Sequence, residues 1–357
     1  MKLGLGYYRR MLTPENFRFA RQLGCTHIVA HWTDYFKEPR IPGASSKGQG
    51  WGVMDNRERP WTLDELTALR KAVNDEGLEL EAIENFDPSH WYDVLLDGPN
   101  KPAQLERLKE TIRIVGQAGI PIMGYNFSIA GVWGHVVGPW ARGGAESVAF
   151  LGPDGPEETP IPNGMVWNMV YDPAAARGTI GAITSEQLWQ RLDDFLQAVL
   201  PVAEEAGVRL ALHPDDPPMP TLRGTPRLVY RPELYQRVID LADSRSNSLE
   251  FCAGSVAEMA DDVMDVYEAV DRYSREGKIA YFHFRNVRGK APRYYEVFVD
   301  EGDIDMIRLL RILHKNGYDG VIVPDHTPQV ACAAPWHAGM AFVIGYLRAA
   351  LTIIEEE

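Results

Sequence analysis

The stretch PVAEEAGVRLALHPDDPP (201–218) passes from a helix-like pattern through Gly207 into a short apolar run that stops at His213. Glycine at that point supplies the left-handed backbone that ends a helix and turns the chain into a strand. The prolines that follow lock φ and refuse ladder hydrogen bonds, so the strand ends at His213 and the loop beyond it is held stiff.

The same grammar recurs in RQLGCTHIVAHW, NDEGLELEAIEN, GQAGIPIMGYNF, SREGKIAYFHF and HKNGYDGVIVPDH. With an opening strand near 2–8 and another in NSLEFCAG (247–254), these junctions give eight strands alternating with helices. Such a series predicts parallel strands joined by crossover helices. No Gly-rich phosphate fingerprint follows the first strand, which favours a closed (β/α)8 TIM barrel over a doubly wound sheet. Residues 1–357 then read as a single barrel domain carrying one long insertion after its fourth strand.

That insertion, 128–184, is rich in Gly, Pro and Trp and shows no clear periodicity. A structureless loop of this length is a lid, a binding loop or a disordered segment. Trp133, Trp140 and Trp167 are costly to leave in water, so the segment is expected to pack over the barrel mouth.

A chain of 357 residues with 45% hydrophobic content buries a large core. Its net charge of -14 repels nucleic acid and anionic membrane, which points to a small-molecule partner, with an assembly of identical chains also compatible. No apolar h-region precedes the first arginines and no run approaches the length that crosses a bilayer, so a soluble, cytoplasmic protein is expected. Cys25, Cys252 and Cys332 are odd in number and suit a reducing compartment as free thiols.

In a barrel, all strand tips surround one mouth. The fifth, sixth, seventh and eighth strands end in His213, Cys252, His283 and Asp325, a full donor set for a divalent transition metal. Each has an ordinary explanation alone: a hydrogen-bonded histidine, a core cysteine, a helix-capping aspartate. On four consecutive tips a shared ion is the better account. Asp215 and Asp216 are candidates to orient a ligating histidine or to bind hydroxyls. His31, Glu84, Asn85, Tyr125 and Asn126, near other strand ends, suit a polyol. His326, beside Asp325, is the natural proton-transfer group, and Arg285 and Arg288, with Arg9 and Arg10 as weaker candidates, are expected to meet a substrate carboxylate.

The runs GYNF (124–127), HPDDPP (213–218), FCAGS (251–255), YFHFRNV (281–287), DEGDIDM and VPDH with Gln329 resemble the mannonate dehydratase family of sugar-acid lyases. The resemblance covers nearly the whole chain. It implies a xylose isomerase-like barrel, a manganese or ferrous ion, and conversion of D-mannonate into 2-keto-3-deoxy-D-gluconate with loss of water. It implies His213, Cys252, His283 and Asp325 as ligands, with His326 at the reaction. From their places at the strand ends, Asp325 and Tyr125 are catalytic candidates beside His326. The chain departs from the family pattern at His326-Thr327-Pro328-Gln329, where His-Gly-His-Gln is expected, and at Met340-Ala341, where a tyrosine is expected. A metal-dependent sugar isomerase or epimerase on the same barrel, a zinc hydrolase and a non-catalytic sugar-acid binder are the alternatives.

Overall fold

The computed structural model describes residues 1–35, 60–259 and 264–356. Strands β1 (Lys2–Tyr8), β2 (His27–His31), β3 (Glu79–Glu84) and β4 (Ile122–Tyr125) open the chain. Next come β5 (His135–Ala141), β6 (Ala145–Phe150), the short pair β7 (Met165–Val166) and β8 (Met169–Val170), and β9 (Arg209–Leu212). After the short pair β10 (Thr221–Leu222) and β11 (Thr225–Pro226), the order continues with β12 (Asn247–Cys252), β13 (Ile279–His283), β14 (Asn286–Lys290), β15 (Arg293–Val297) and β16 (Val321–Val323). Eight of them, β1, β2, β3, β4, β9, β12, β13 and β16, close into a parallel barrel with helices outside, as the junctions predict.

Gly207 sits at φ 68°, and the five other junction glycines share its left-handed sign. A side chain at these positions would be strained, which is why each junction carries Gly. The helix Ser185–Ala206 that ends at Gly207 begins in a capping box between Thr184 and Gln187.

Side chains alternate across every barrel strand. Val29, Ala82, Ile122, Ala211 and Val321 form a small cluster inside the ring, whereas their neighbours Ile28, Ile83, Met123, Leu210 and Ile322 join the large core between strands and helices. This parity fixes which residues can reach the mouth.

The insertion differs from the expected structureless loop. Its β5 and β6 pair with β14 and β15, from a second excursion after the seventh barrel strand, in one antiparallel sheet of order β14-β15-β6-β5. Tyr294 pairs with Phe150 and Tyr295 with Ala149. The sequence hid this sheet because its halves are useless alone: neither hairpin buries an apolar face until the other arrives. Trp133 and Trp167 are buried as expected, and Trp140 is half-buried.

One expectation fails on the last helix. Pro335–Glu356 is long and apolar enough to cross a membrane by length and composition, although 44% of that apolar window is buried inside the structure. Met340, Val343, Ile344, Leu347 and Ile354 are its buried stripe against the barrel shell.

Candidate active site

Counting by twos from the inner cluster leads to the mouth: Val29 to His31, Ala82 to Glu84, Ile122 to Gly124 and Asn126, Ala211 to His213, Val321 to Val323 and Asp325. On β12 and β13 the register pairs Cys252 with His283. A cavity of about 690 Å³ opens there, lined among others by His31, Glu84, Asn126, His213, His283, Asp325 and His326.

Donor atoms of His213, Cys252 and His283 lie within 4.8 Å of one another. Asp325 stands outside this tight set, with Oδ1 3.7 Å from His283 Nδ1 and Oδ2 3.8 Å from Cys252 Sγ. Ring tautomers follow from the outer partners. His213 Nδ1 donates to the Pro214 carbonyl at 2.7 Å, which leaves Nε2 as its ligating nitrogen. His283 turns Nε2 toward Glu250 (3.1 Å) and Glu84 (3.4 Å), and its buried Nδ1 has no hydrogen-bond partner among the described residues.

The local field favours anionic sulfur. Burial alone would raise the Cys252 thiol, but Arg285 and the two histidines bring it down to about 5. Glu250 moves the other way: burial and the neighbouring Glu84 push it up to about 8. The donor set, a ready thiolate with two oriented imidazoles and a nearby carboxylate, fits a divalent transition ion and not a hard cation such as magnesium.

His326 donates from Nδ1 to Glu296 at 2.9 Å and keeps Nε2 3.4 Å from Asp325, with 37% of its side chain exposed. Against burial, Asp325 and Glu296 hold its imidazole up to about 10. Asp325 itself lies well below the usual carboxylate range, because His326 and His283 outweigh its burial.

Several expected residues are elsewhere. Arg285 is buried and already engaged, with Nη2 2.7 Å from Asp216 and 3.2 Å from Glu258, Nη1 on Glu296 and Nε 3.4 Å from Asp325. It therefore serves as the counter-cation beneath the site and does not meet a substrate carboxylate. Arg288 is exposed on β14, bonded to the Glu301 carbonyl at 2.9 Å, and does not line the cavity. Arg9 bonds the Trp32 carbonyl, so Arg10 is the candidate arginine that lines the cavity. Tyr125 has the wrong parity: its ring faces Phe195 of the helix Ser185–Ala206 at 5.3 Å and its buried hydroxyl finds no hydrogen-bond partner among the described residues. A catalytic part for Tyr125 does not fit that position. Asp215 pairs with Arg227 at 2.9 Å and caps the backbone of Leu228 and Val229, so it does not orient a histidine. Asp216 does line the cavity, bonded to Arg285, Ser255 and Tyr294.

Sequence reasoning missed Glu250, Glu296, His135 and Tyr294. Glu250 was accessible, standing two residues before Cys252 on the same inward face of β12. The others come from the cap sheet. Met340, where the resemblance expects a tyrosine, lines the cavity with a thioether that carries no proton.

The sequence model of the D-mannonate dehydratase family matches residues 35–142 and 178–348. A mannonate dehydratase of Streptococcus suis is 34% identical over 287 residues, 76% of this chain and 75% of that protein. Mannonate dehydratase 2 of Halalkalibacterium halodurans is 29% identical over 283 residues, 74% of this chain and 79% of the relative. The crystal structure of mannonate dehydratase from Streptococcus suis serotype 2 superposes with a TM-score of 0.79 at 28% identity, covering all of this chain and 94% of the other. A D-psicose 3-epimerase from Clostridium cellulolyticum, at 12% identity and a TM-score of 0.55 over all of this chain and 99% of the other, shares the fold.

Proposed function

The chain belongs to the D-mannonate dehydratase family, and from that membership we propose that it removes water from D-mannonate to give 2-keto-3-deoxy-D-gluconate, using the residues gathered at the barrel mouth. The observation that carries the assignment of roles is the pair of oriented groups side by side: an imidazole, His326, fixed by Glu296, next to a cysteine, histidine and carboxylate donor set.

His213, Cys252, His283 and Asp325 would hold a divalent manganese or ferrous ion. When bound, that ion supplies positive charge against which the substrate carboxylate and its α-hydroxyl can lie, making the C2 proton more acidic. The chain's own residues do the rest. His326 takes the C2 proton through Nε2, since Nδ1 is committed to Glu296; a cation held by Asp325 would offset the carboxylate charge that otherwise keeps this imidazole protonated. Glu84 and Asn126 line the cavity where sugar hydroxyls would sit, and Arg10 places a guanidinium at the mouth for the acid end of the substrate. Trp167, whose indole N–H donates to Asn126 Oδ1 at 3.3 Å, fixes that amide. The insertion 128–184 acts as a roof that limits water at the reacting carbons. The three cysteines, all free, are compatible with a reducing cytoplasm.

The test is enzyme reconstituted with manganese or ferrous iron, offered a panel of aldonates and uronates, with 2-keto-3-deoxy acid as the product measured. D-Mannonate should be turned over best. No keto-deoxy product from any aldonate, with stoichiometric metal bound, would refute the reading. His326→Asn should stay metallated and lose roughly 10²–10⁴-fold in turnover, the usual worth of a positioned acid or base.

A further inference from the structure

Dehydration needs two proton transfers, one from C2 and one to the departing C3 hydroxyl, and two positioned groups can share them. Five imidazoles line the cavity: His31, His135, His213, His283 and His326. His213 and His283 belong to the donor set. His31 lies stacked under Tyr8 at 4.7 Å with Nε2 3.5 Å from Glu84, on the Glu84 side of the donor set. His135 remains.

We propose that His135 is the acid of the reaction, protonating the C3 hydroxyl as it leaves while His326 receives the C2 proton; this rests on the dehydratase reading above. His135 opens β5 and is 7% exposed. Its Nε2 lies 2.8 Å from the Tyr294 hydroxyl and 3.3 Å from Asp216 Oδ1. The Tyr294 hydroxyl donates its own proton to Asp216 Oδ1 at 2.7 Å, so its oxygen must accept from His135 Nε2–H. The tautomer is thereby set, and Nδ1 is the nitrogen that carries the transferable proton. The Asp216 carboxylate, 3.3 Å from Nε2, faces the same edge of the ring as the Tyr294 hydroxyl.

The same strand arranges both imidazoles. Tyr294 and Glu296 are two residues apart on β15 and so share a face; one holds His135 and the other holds His326. Arg285 bridges their supports, bonding Asp216 on one side and Glu296 on the other. The two groups are therefore placed by one rigid element on the cavity wall.

The step balances. His326 takes the C2 proton and the C–H electron pair moves into the carboxylate as an enediolate, which can regain a proton at C2; that pair then forms the C2–C3 double bond as the C3–O bond breaks with its own pair on oxygen. The proton from His135 completes a water molecule. The resulting enol gains a proton at C3 and loses one from the C2 hydroxyl to give the keto acid, and exchange with solvent returns both imidazoles to their starting states. No oxidant or reductant is involved.

The test runs wild type and His135→Gln with D-mannonate in deuterium oxide, reading keto-deoxy product, deuterium at C2 of recovered substrate, and bound metal. The variant should keep its metal, lose roughly 10²–10⁴-fold in product formation, and still exchange C2. A merely structural role would lower exchange and product together, and that result, or near-normal product formation, overturns the proposal. Should His135→Gln fail to fold, Tyr294→Phe is read the same way, since it keeps the ring and removes its hydroxyl partner: product falling ahead of exchange supports the assignment and equal falls overturn it. If wild type makes no product from mannonate, the dehydratase reading itself fails and the inference goes with it, an outcome distinct from a wild type that works and a variant that does not split the two readouts.

Discussion

Glu296 and His326 are 2.9 Å apart, yet one lies on β15 of the antiparallel sheet and the other follows the last barrel strand. The carboxylate accepts the Nδ1 proton and so dictates that Nε2 faces the reaction. Glu296→Gln should leave metal content unchanged and lower kcat by roughly 10- to 100-fold, the common cost of losing a group that orients a working residue. Metal analysis beside steady-state kinetics decides; loss of metal in step with rate would show that Glu296 supports the ion and not the imidazole.

Cys252→Ser should strip metal from the protein, whereas Cys25→Ser and Cys332→Ser should retain it. A hydroxyl at neutral pH is not an anionic donor, but the Cys252 thiol, brought down to about 5, is one before any ion arrives. Elemental analysis giving equal metal in all three variants would remove Cys252 from the donor set.

Gly254 packs against the buried guanidinium: a Cβ there would come within 2.3 Å of Arg285 Nε. Arg285 cannot swing aside cheaply, because Asp216, Glu258 and Glu296 all hold it. Gly254→Ala should therefore cost about 1–3 kcal/mol of stability, as overpacking does, and also weaken metal retention by disturbing the cation that holds Cys252 anionic. Denaturant titration together with metal content would show it, and a wild-type midpoint would contradict the packing argument.

Arg227, just after β11, ties the start of the insertion to the loop that follows β9. Its side chain, with no exposure, pairs with Asp215 and donates to Ser128 Oγ at 2.8 Å and the Gly131 carbonyl at 2.7 Å. Arg227→Met should leave the Asp215 carboxylate buried and unpaired, destabilising by roughly 3–5 kcal/mol, with new protease cleavage inside 128–184. Unchanged melting and an unchanged digest would mean the insertion is anchored elsewhere.

The barrel was legible because each junction repeats one local signal, and Gly207 with His213 carries it in miniature. The grouping of His213, Cys252 and His283 was legible because strand ends in a barrel converge. Tyr125 was misread although the same reasoning forbids it: Gly124 and Asn126 take the inward parity, so the residue between them must face the helices. Arg285 was read as a substrate clamp because a cation near a mouth suggests an anionic ligand; the acidic groups that occupy it, Glu258 and Glu296, come from segments whose positions no local pattern reveals. His135 and Tyr294 were out of reach for the same reason, since only pairing between two distant excursions brings them together.

That pairing also orders events during synthesis. β5 and β6 leave the ribosome long before β15, the strand that covers them, and until it arrives β6 presents an open edge to solvent and to other nascent chains. β15 is followed shortly by β16, which closes the ring against β1 and delivers Asp325 and His326. A chain halted before β15 holds His213, Cys252 and His283 but neither Glu296 nor His326, so a nascent or truncated enzyme carries three donors for a metal while having no group poised to move a proton.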